Sequence, residues 1–190
     1  MRILIITILT TFIASNAMSQ RNYNGISSIV TIDGTSNLHD WKSVSKKSKV
    51  EMVMTIDTGG LKAIQYLMVD VPVKAIKSSK GAVMDNNTYL ALKADQHPSI
   101  IYKLEKVTGI EKKGEIYIIS TLGSLTVAGV KKNIELIVVG YINKDGNVYF
   151  KFSKKIKMTD YNIKLPSILF GLIKTGDEIE LKFNLVVKQS

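Results

Sequence analysis

The chain has no cysteine, and its 190 residues include only two histidines, three prolines and one tryptophan. Without cysteine there is no disulfide, no thiolate nucleophile, no thiolate-held zinc and no iron–sulfur cluster. The fold must stand on buried apolar surface and backbone hydrogen bonds. The two histidines, His39 and His97, are too few for a transition-metal site of the usual kind. His39-Asp40 is the one place where acid–base chemistry can be imagined. Neighbours along a strand point to opposite faces, so neither residue orients the other. There is no glycine-rich phosphate loop and no Gly-x-Ser-x-Gly elbow. The residues therefore suggest neither catalytic group nor metal nor cofactor. Arginine is also scarce: beyond Arg2 there is only Arg21, and lysine carries the rest of a formal charge of +10. Specific readers of nucleic acid use arginine for bidentate base contacts, so no nucleic-acid partner is expected. A lysine-rich surface suits solvation, resists edge-to-edge strand pairing and is attracted to anionic membrane surfaces.

One long apolar run is present, at the start. Met1-Arg2 supplies a positive charge, Ile3 to Ile13 is almost unbroken apolar sequence, and Ala17-Met18-Ser19 places small residues ahead of Gln20. This is the three-part grammar of a secretory signal peptide, too short in its apolar core for a comfortable membrane span. No cysteine follows it, which excludes a lipid anchor of the bacterial lipoprotein kind. Residues 1–19 are read as a signal peptide, and 20–190 as one domain that is periplasmic or secreted.

Within that domain the apolar residues recur every second position, the mark of half-buried strands. Val148, Phe150, Phe152, Ile156 and Met158 share a face that only Lys154 interrupts. Ile179, Leu181, Phe183, Leu185 and Val187 alternate with Glu180, Lys182, Asn184, Val186 and Lys188. Val50, Met52, Met54 and Ile56 form another face, as do Ile100, Tyr102 and Leu104, and Ile134, Leu136 and Val138. Val30 and Ile32 belong to the first strand. Turn-forming segments such as Asp57-Thr58-Gly59-Gly60 and Asn143 to Asn147 separate the strands. One stretch breaks the rule. Gly81 to Asp95 contains a short helix that Asp85 or Asn86 can cap, with Tyr89 and Leu92, and Val83 before the cap, toward the sheet; His97-Pro98 ends the excursion. Eight or so antiparallel strands with one apolar face each must close on themselves or meet a second sheet. An eight-stranded barrel is wide enough to be filled by side chains or to hold one ligand, and composition does not decide which.

Several segments, in order, carry a resemblance. They are Gly34-Thr35-Ser36-Asn37-Leu38-His39-Asp40-Trp41; Pro72-Val73-Lys74-Ala75-Ile76-Lys77; Met84-Asp85 to Leu92; His97-Pro98-Ser99-Ile100-Ile101-Tyr102; Leu125-Thr126-Val127-Ala128-Gly129-Val130-Lys131-Lys132; and Lys157-Met158-Thr159-Asp160-Tyr161-Asn162-Ile163. Together they resemble the YceI family of secreted lipid-binding, lipocalin-like proteins. The resemblance implies an all-β fold: an extended antiparallel eight-stranded lipocalin-like barrel with one short helical insertion. It implies that the lumen takes a polyisoprenoid or another long amphiphile for transport or storage. Candidate lumen residues are then Val30, Ile32, Met52, Met54, Tyr102, Leu104, Leu136, Phe150, Phe152, Met158 and Phe183 from the strand faces, with Trp41, Tyr161 and Phe170 from the connections. The family's usual arginine near Asp160 is replaced by lysine and methionine here, and its usual glycine after the aromatic is Asn162.

Rival readings stay open on the sequence alone. The core could be filled and the barrel could bind partners on its surface; a hydrolytic enzyme is the remaining class. Trp41 suits a hairpin anchor or a contact at the mouth. The apolar loop Asn162 to Thr175 suits a flap over the mouth, a cap on the core or a dimer contact. Ile137, Val139 and Tyr141 hint at a covered outer face and a homodimer. Lys77, Lys80, Lys131 and Lys132 are read as solvated turn lysines, with a head-group clamp as the alternative.

Overall fold

Alternating sequence becomes strand in the computed structural model, which describes residues 19–168 and 172–190. Residues 1–18 of the expected signal peptide, and Phe170, lie outside the described residues. Five strands come first: β1 (Arg21–Ser36), β2 (Trp41–Ser45), β3 (Lys49–Asp57), β4 (Gly60–Pro72) and the short β5 (Lys77–Ser78). One helix follows, α1 (Ala82–Ala91). Then come β6 (Ser99–Lys113), β7 (Ile116–Val127), β8 (Val130–Ile142), β9 (Val148–Lys157), the two-residue β10 (Ser167–Ile168) and β11 (Ile173–Gln189). Eight strands close into an antiparallel barrel in the order β1-β11-β9-β8-β7-β6-β4-β3 and back to β1. The short strands are additions: β2 pairs with β1, β5 with β2, and β10 with β11. No helix among the described residues is long and apolar enough to cross a membrane.

Three strands, β1, β4 and β6, depart from simple alternation because of bulges, which insert an extra residue and reverse the side-chain phase. In β1 the pairing with β11 shifts between Gly25 and Ser27, leaving Ile26 exposed. Tyr23 points inward before the bulge, and Val30 and Ile32 after it. In β4 the pairing with β3 shifts twice, skipping Gln65 and Lys62, so the buried residues run Leu61, Ile64, Val69, Val71.

The ladders are not continuous along every seam. β8 and β9 pair from Ile142↔Val148 to Val139↔Lys151. β4 and β6 pair from Pro72↔Ser99 to Met68↔Lys103. The barrel therefore has two ends of different construction. At one, the tight β3–β4 turn brings Gly60 (φ 104°) against the Tyr117 hydroxyl, which any Cβ at that position would overlap. Tyr23, Met54, Leu61, Tyr117, Val148 and Val187 are all buried there. At the other end lie the β1–β2 hairpin, α1 and the segment joining β9 to β11.

The helix differs from its expected form. It starts at Ala82 behind Gly81 (φ 88°), so neither Asp85 nor Asn86 is the cap. Asp85 is buried within the first turn, where it accepts a 2.6 Å hydrogen bond from the Ser78 amide and pairs with Lys77 at 3.2 Å. Met84, Thr88 and Ala91 face the barrel, as does Leu92 in line with expectation, while Val83 is 71% exposed, opposite to expectation. Tyr89 does face inward to the body of the protein, its hydroxyl 3.0 Å from the carbonyls of Lys74 and Ile76.

Candidate functional site

The barrel encloses a cavity of about 180 Å³. A single water needs only ~10–15 Å³ by the same measure, so this is not a packing defect. The wall is built row by row from paired strands. Val30, Phe183 and Phe152 make one row; Ile32, Leu181 and Lys154 make the next; Gly34, Ile179 and Ile156 make the third. Met52, Ile64, Ile119 and Phe150 line the cavity toward the packed end. Across the barrel, Tyr102, Leu104, Leu136 and Val138 complete the wall.

Every expected lumen residue lines this cavity except Met54 and Phe170. Phe170 falls outside the described residues. Met54 shares the phase of Met52 but sits one row deeper, opposite Arg21 and Ile64, where it is fully buried in the packed end. It fills the lumen where Met52 faces open space.

The mouth is covered by residues that alternation could not reveal. Met84, Asn87, Thr88, Ala91 and Leu92 of the helical segment line the cavity from above. Tyr161, Ile163 and Pro166 line it from the segment between β9 and β10. That segment is held by Asp177, which accepts from the Thr159 amide at 2.9 Å and hydroxyl at 2.6 Å. These bonds hold the Asp177 carboxyl below the usual carboxylate range. Asn162 takes the left-handed conformation (φ 53°) that lets the chain turn Tyr161 inward. Asn37 ties the β1–β2 hairpin to the same cover, donating to the Leu172 carbonyl at 2.8 Å and accepting from the Lys174 amide at 2.9 Å. Of the loop 162–175, Ile163, Pro166 and Thr175 line the cavity.

Trp41 packs on its own hairpin and also reaches the cavity. Its indole lies across Gly34, leaving no room for a Cβ there, and its Nε1 donates to the Thr35 carbonyl at 3.0 Å. The same half-buried ring lines the cavity. Burial pushes the phenol pKa values of Tyr102 and Tyr161 up, so both rings stay neutral in the wall. Tyr102 Oη lies 3.4 Å from Thr121 Oγ1.

No carboxylate or imidazole is among the lining residues. His39 is exposed on the hairpin, with Nδ1 3.1 Å from the Asp40 carbonyl. His97 sits against Gly129 at the β7–β8 turn. Among the described residues no group of histidines and carboxylates is arranged to hold a metal ion. The turn lysines stay outside the cavity: Lys77 pairs with Asp85, Lys131 lies 3.9 Å from Glu105, and Lys80 and Lys132 are exposed. Instead Lys154, the residue that interrupts the apolar face of β9, lines the lumen.

A model of the YceI-like domain matches residues 11–187. The chain belongs to the YceI-like family. Solved structures share the fold of this YceI-like barrel at low identity. The Burkholderia cenocepacia protein BcnA is 17% identical, with a TM-score of 0.65 over 85% of this chain and 96% of its own. A polyisoprenoid binding domain from Saccharophagus degradans, implicated in plant cell wall breakdown, is 12% identical, with a TM-score of 0.67 over 88% and 98%. The Campylobacter jejuni YCEI protein is 22% identical, with a TM-score of 0.58 over 78% and 84%. No curated protein matches the YceI-like chain in sequence.

Proposed function

We propose that this YceI-like protein holds a long apolar amphiphile, a polyisoprenoid or related lipid, in its barrel and carries or stores it in the periplasm or outside the cell without catalysing a reaction. The observation that carries this reading is the lumen itself: a covered cavity with almost wholly apolar walls in a barrel whose other end is solid. Each CH₂ group transferred from water to such walls gains roughly 0.8 kcal/mol before the costs of ordering, so a chain can bind with few polar contacts. Met52 and Met158 give the wall side chains that repack around irregular guests. The likeness to a domain described as polyisoprenoid-binding supports the ligand class. A lining without carboxylate or imidazole supports binding rather than catalysis.

Peripheral contact with an anionic membrane belongs to the same reading. Leu38, Val83, Leu90 and Leu172 are exposed on the elements that surround the mouth, among lysines such as Lys80, Lys93 and Lys174. A second reading, self-association, is favoured by the exposed Ile137, Val139 and Tyr141 on the outer side of β8, where Tyr141 stacks on Tyr149 at 4.6 Å between ring centroids.

Trp41 is the single tryptophan and lines the cavity, so its emission reports occupancy. Titrating delipidated protein with a polyprenol should change Trp41 fluorescence saturably, at one lipid per chain. A titration without saturable change, with no lipid co-eluting on gel filtration, would rule the carrier reading out.

A further inference from the structure

We infer that Lys154 is a head-group site inside the barrel, selecting lipids that carry an anionic phosphate or carboxylate head. The inference rests on the lipid-carrier reading above and adds the polar end of the ligand to it. Lys154 occupies an inward position between Phe152 and Ile156, level with Ile32 and Leu181. It is half-buried and makes no ion pair among the described residues. The nearest carboxylates of β1 and β11 are engaged on the outer face. Asp33 and Glu180 bind Lys182 at 2.8 and 3.0 Å, and Glu178 binds Lys155 at 3.0 Å. An ammonium in an apolar wall without a partner is costly, and many apolar side chains would fill the position instead.

Two features show what the cation can serve. The β8–β9 ladder ends at Val139↔Lys151, so Lys154 lies beyond the last paired residues, beside the unzipped seam. The seam gives the ammonium access to water when the lumen is empty and gives a charged head a place to lie when it is full. Phe152 and Phe183, stacked at 5.4 Å, lie one row below, toward the packed end, as a platform for the start of the tail. A charge-assisted hydrogen bond from Lys154 to an anionic oxygen then fixes the head while the chain occupies the apolar space.

The test compares a polyprenyl phosphate with the polyprenol of equal length, bound to the wild type, Lys154→Met, Lys154→Arg and Lys151→Met. Lys151 is exposed on the outer side of the same strand and serves as the control. The wild type and Lys151→Met should prefer the phosphate by about tenfold. Lys154→Met should lose that preference while binding the polyprenol at least as well, and Lys154→Arg should keep it. An undiminished preference in Lys154→Met, or equal binding of both lipids by the wild type, overturns the inference and leaves the carrier reading standing. Failure of the wild type to bind either lipid removes both.

Discussion

The two ends of the barrel use the same strands to opposite effect. At the end closed by the β3–β4 turn, Tyr23, Met54, Leu61, Tyr117, Val148 and Val187 are buried in the core, and none of them lines the cavity. At the mouth end, Ile32, Phe152, Ile156 and Leu181 point inward just as regularly and line the cavity. The connections differ accordingly. A tight turn joins β3 to β4, whereas long segments, α1 among them, join β4 to β6 and β9 to β11. A turn pulls two strands together and lets their side chains interdigitate. A long connection lies across the opening as a lid and leaves the space beneath it free. Apolar alternation therefore builds a wall, and at the mouth end the long connections lie over the cavity, although the β7–β8 turn there is tight.

That contrast can be broken by mutation. Met54→Ala should destabilise the protein by about 2–5 kcal/mol in denaturant unfolding, because it opens a void in a filled region. Phe152→Ala removes a larger side chain but only widens an existing space, so its cost in lipid-free protein should be less than half that of Met54→Ala. Equal costs would mean that the mouth end is as tightly filled as the other. Lipid affinity should respond in the reverse order, falling with Phe152→Ala and holding with Met54→Ala.

Removing the ligand sharpens the comparison next. If lipid is present at a hundred times its dissociation constant, delipidation should lower stability by about 2.7 kcal/mol. The loss should fall on the mouth end: hydrogen exchange should quicken in α1 and residues 158–168 and stay slow around Met54 and Tyr117.

Acid should act the same way, with a smaller effect. Asp33, Asp85, Asp95, Asp177 and Glu180 are held below the usual carboxylate range, and all lie in the mouth half. A depressed carboxyl contributes stability that is present above its unfolded pKa of about 4 and lost as pH falls through the folded value. Lowering the pH below about 4 should therefore loosen the lid before the packed end. Protonation weakens the Asp85 bond to the Ser78 amide and the Asp177 bonds to Thr159, which fasten the lid. Asp177→Asn should blunt this response in an acid titration followed by Trp41 emission. The smallest effect is expected at Asn162. Its left-handed backbone accepts glycine, so Asn162→Gly should change stability by no more than about 0.5 kcal/mol.

Much of the wall is legible in the sequence because β9, β11 and the upper part of β3 keep strict alternation. Their inward residues follow from the period of two alone. Those of β4 do not, because its two bulges space the inward residues three apart before the alternation resumes. Met54 obeys the same period as Met52, but period carries no information about depth along a barrel axis. The lid is illegible for another reason. Met84, Thr88 and Ala91 share one helical face at spacings of four and three, and the period does not show which face turns to the barrel. Lys154 stands out in the sequence as a broken pattern, but only the seam beside it shows why a cation can stand there.

The most direct measurement is native mass spectrometry of the protein, purified from its source cells without detergent. A discrete added mass, extractable into organic solvent as one long-chain lipid per protein, is the expected result. A bare chain that also fails to take up polyprenol or polyprenyl phosphate would contradict the account of the barrel as a lipid carrier.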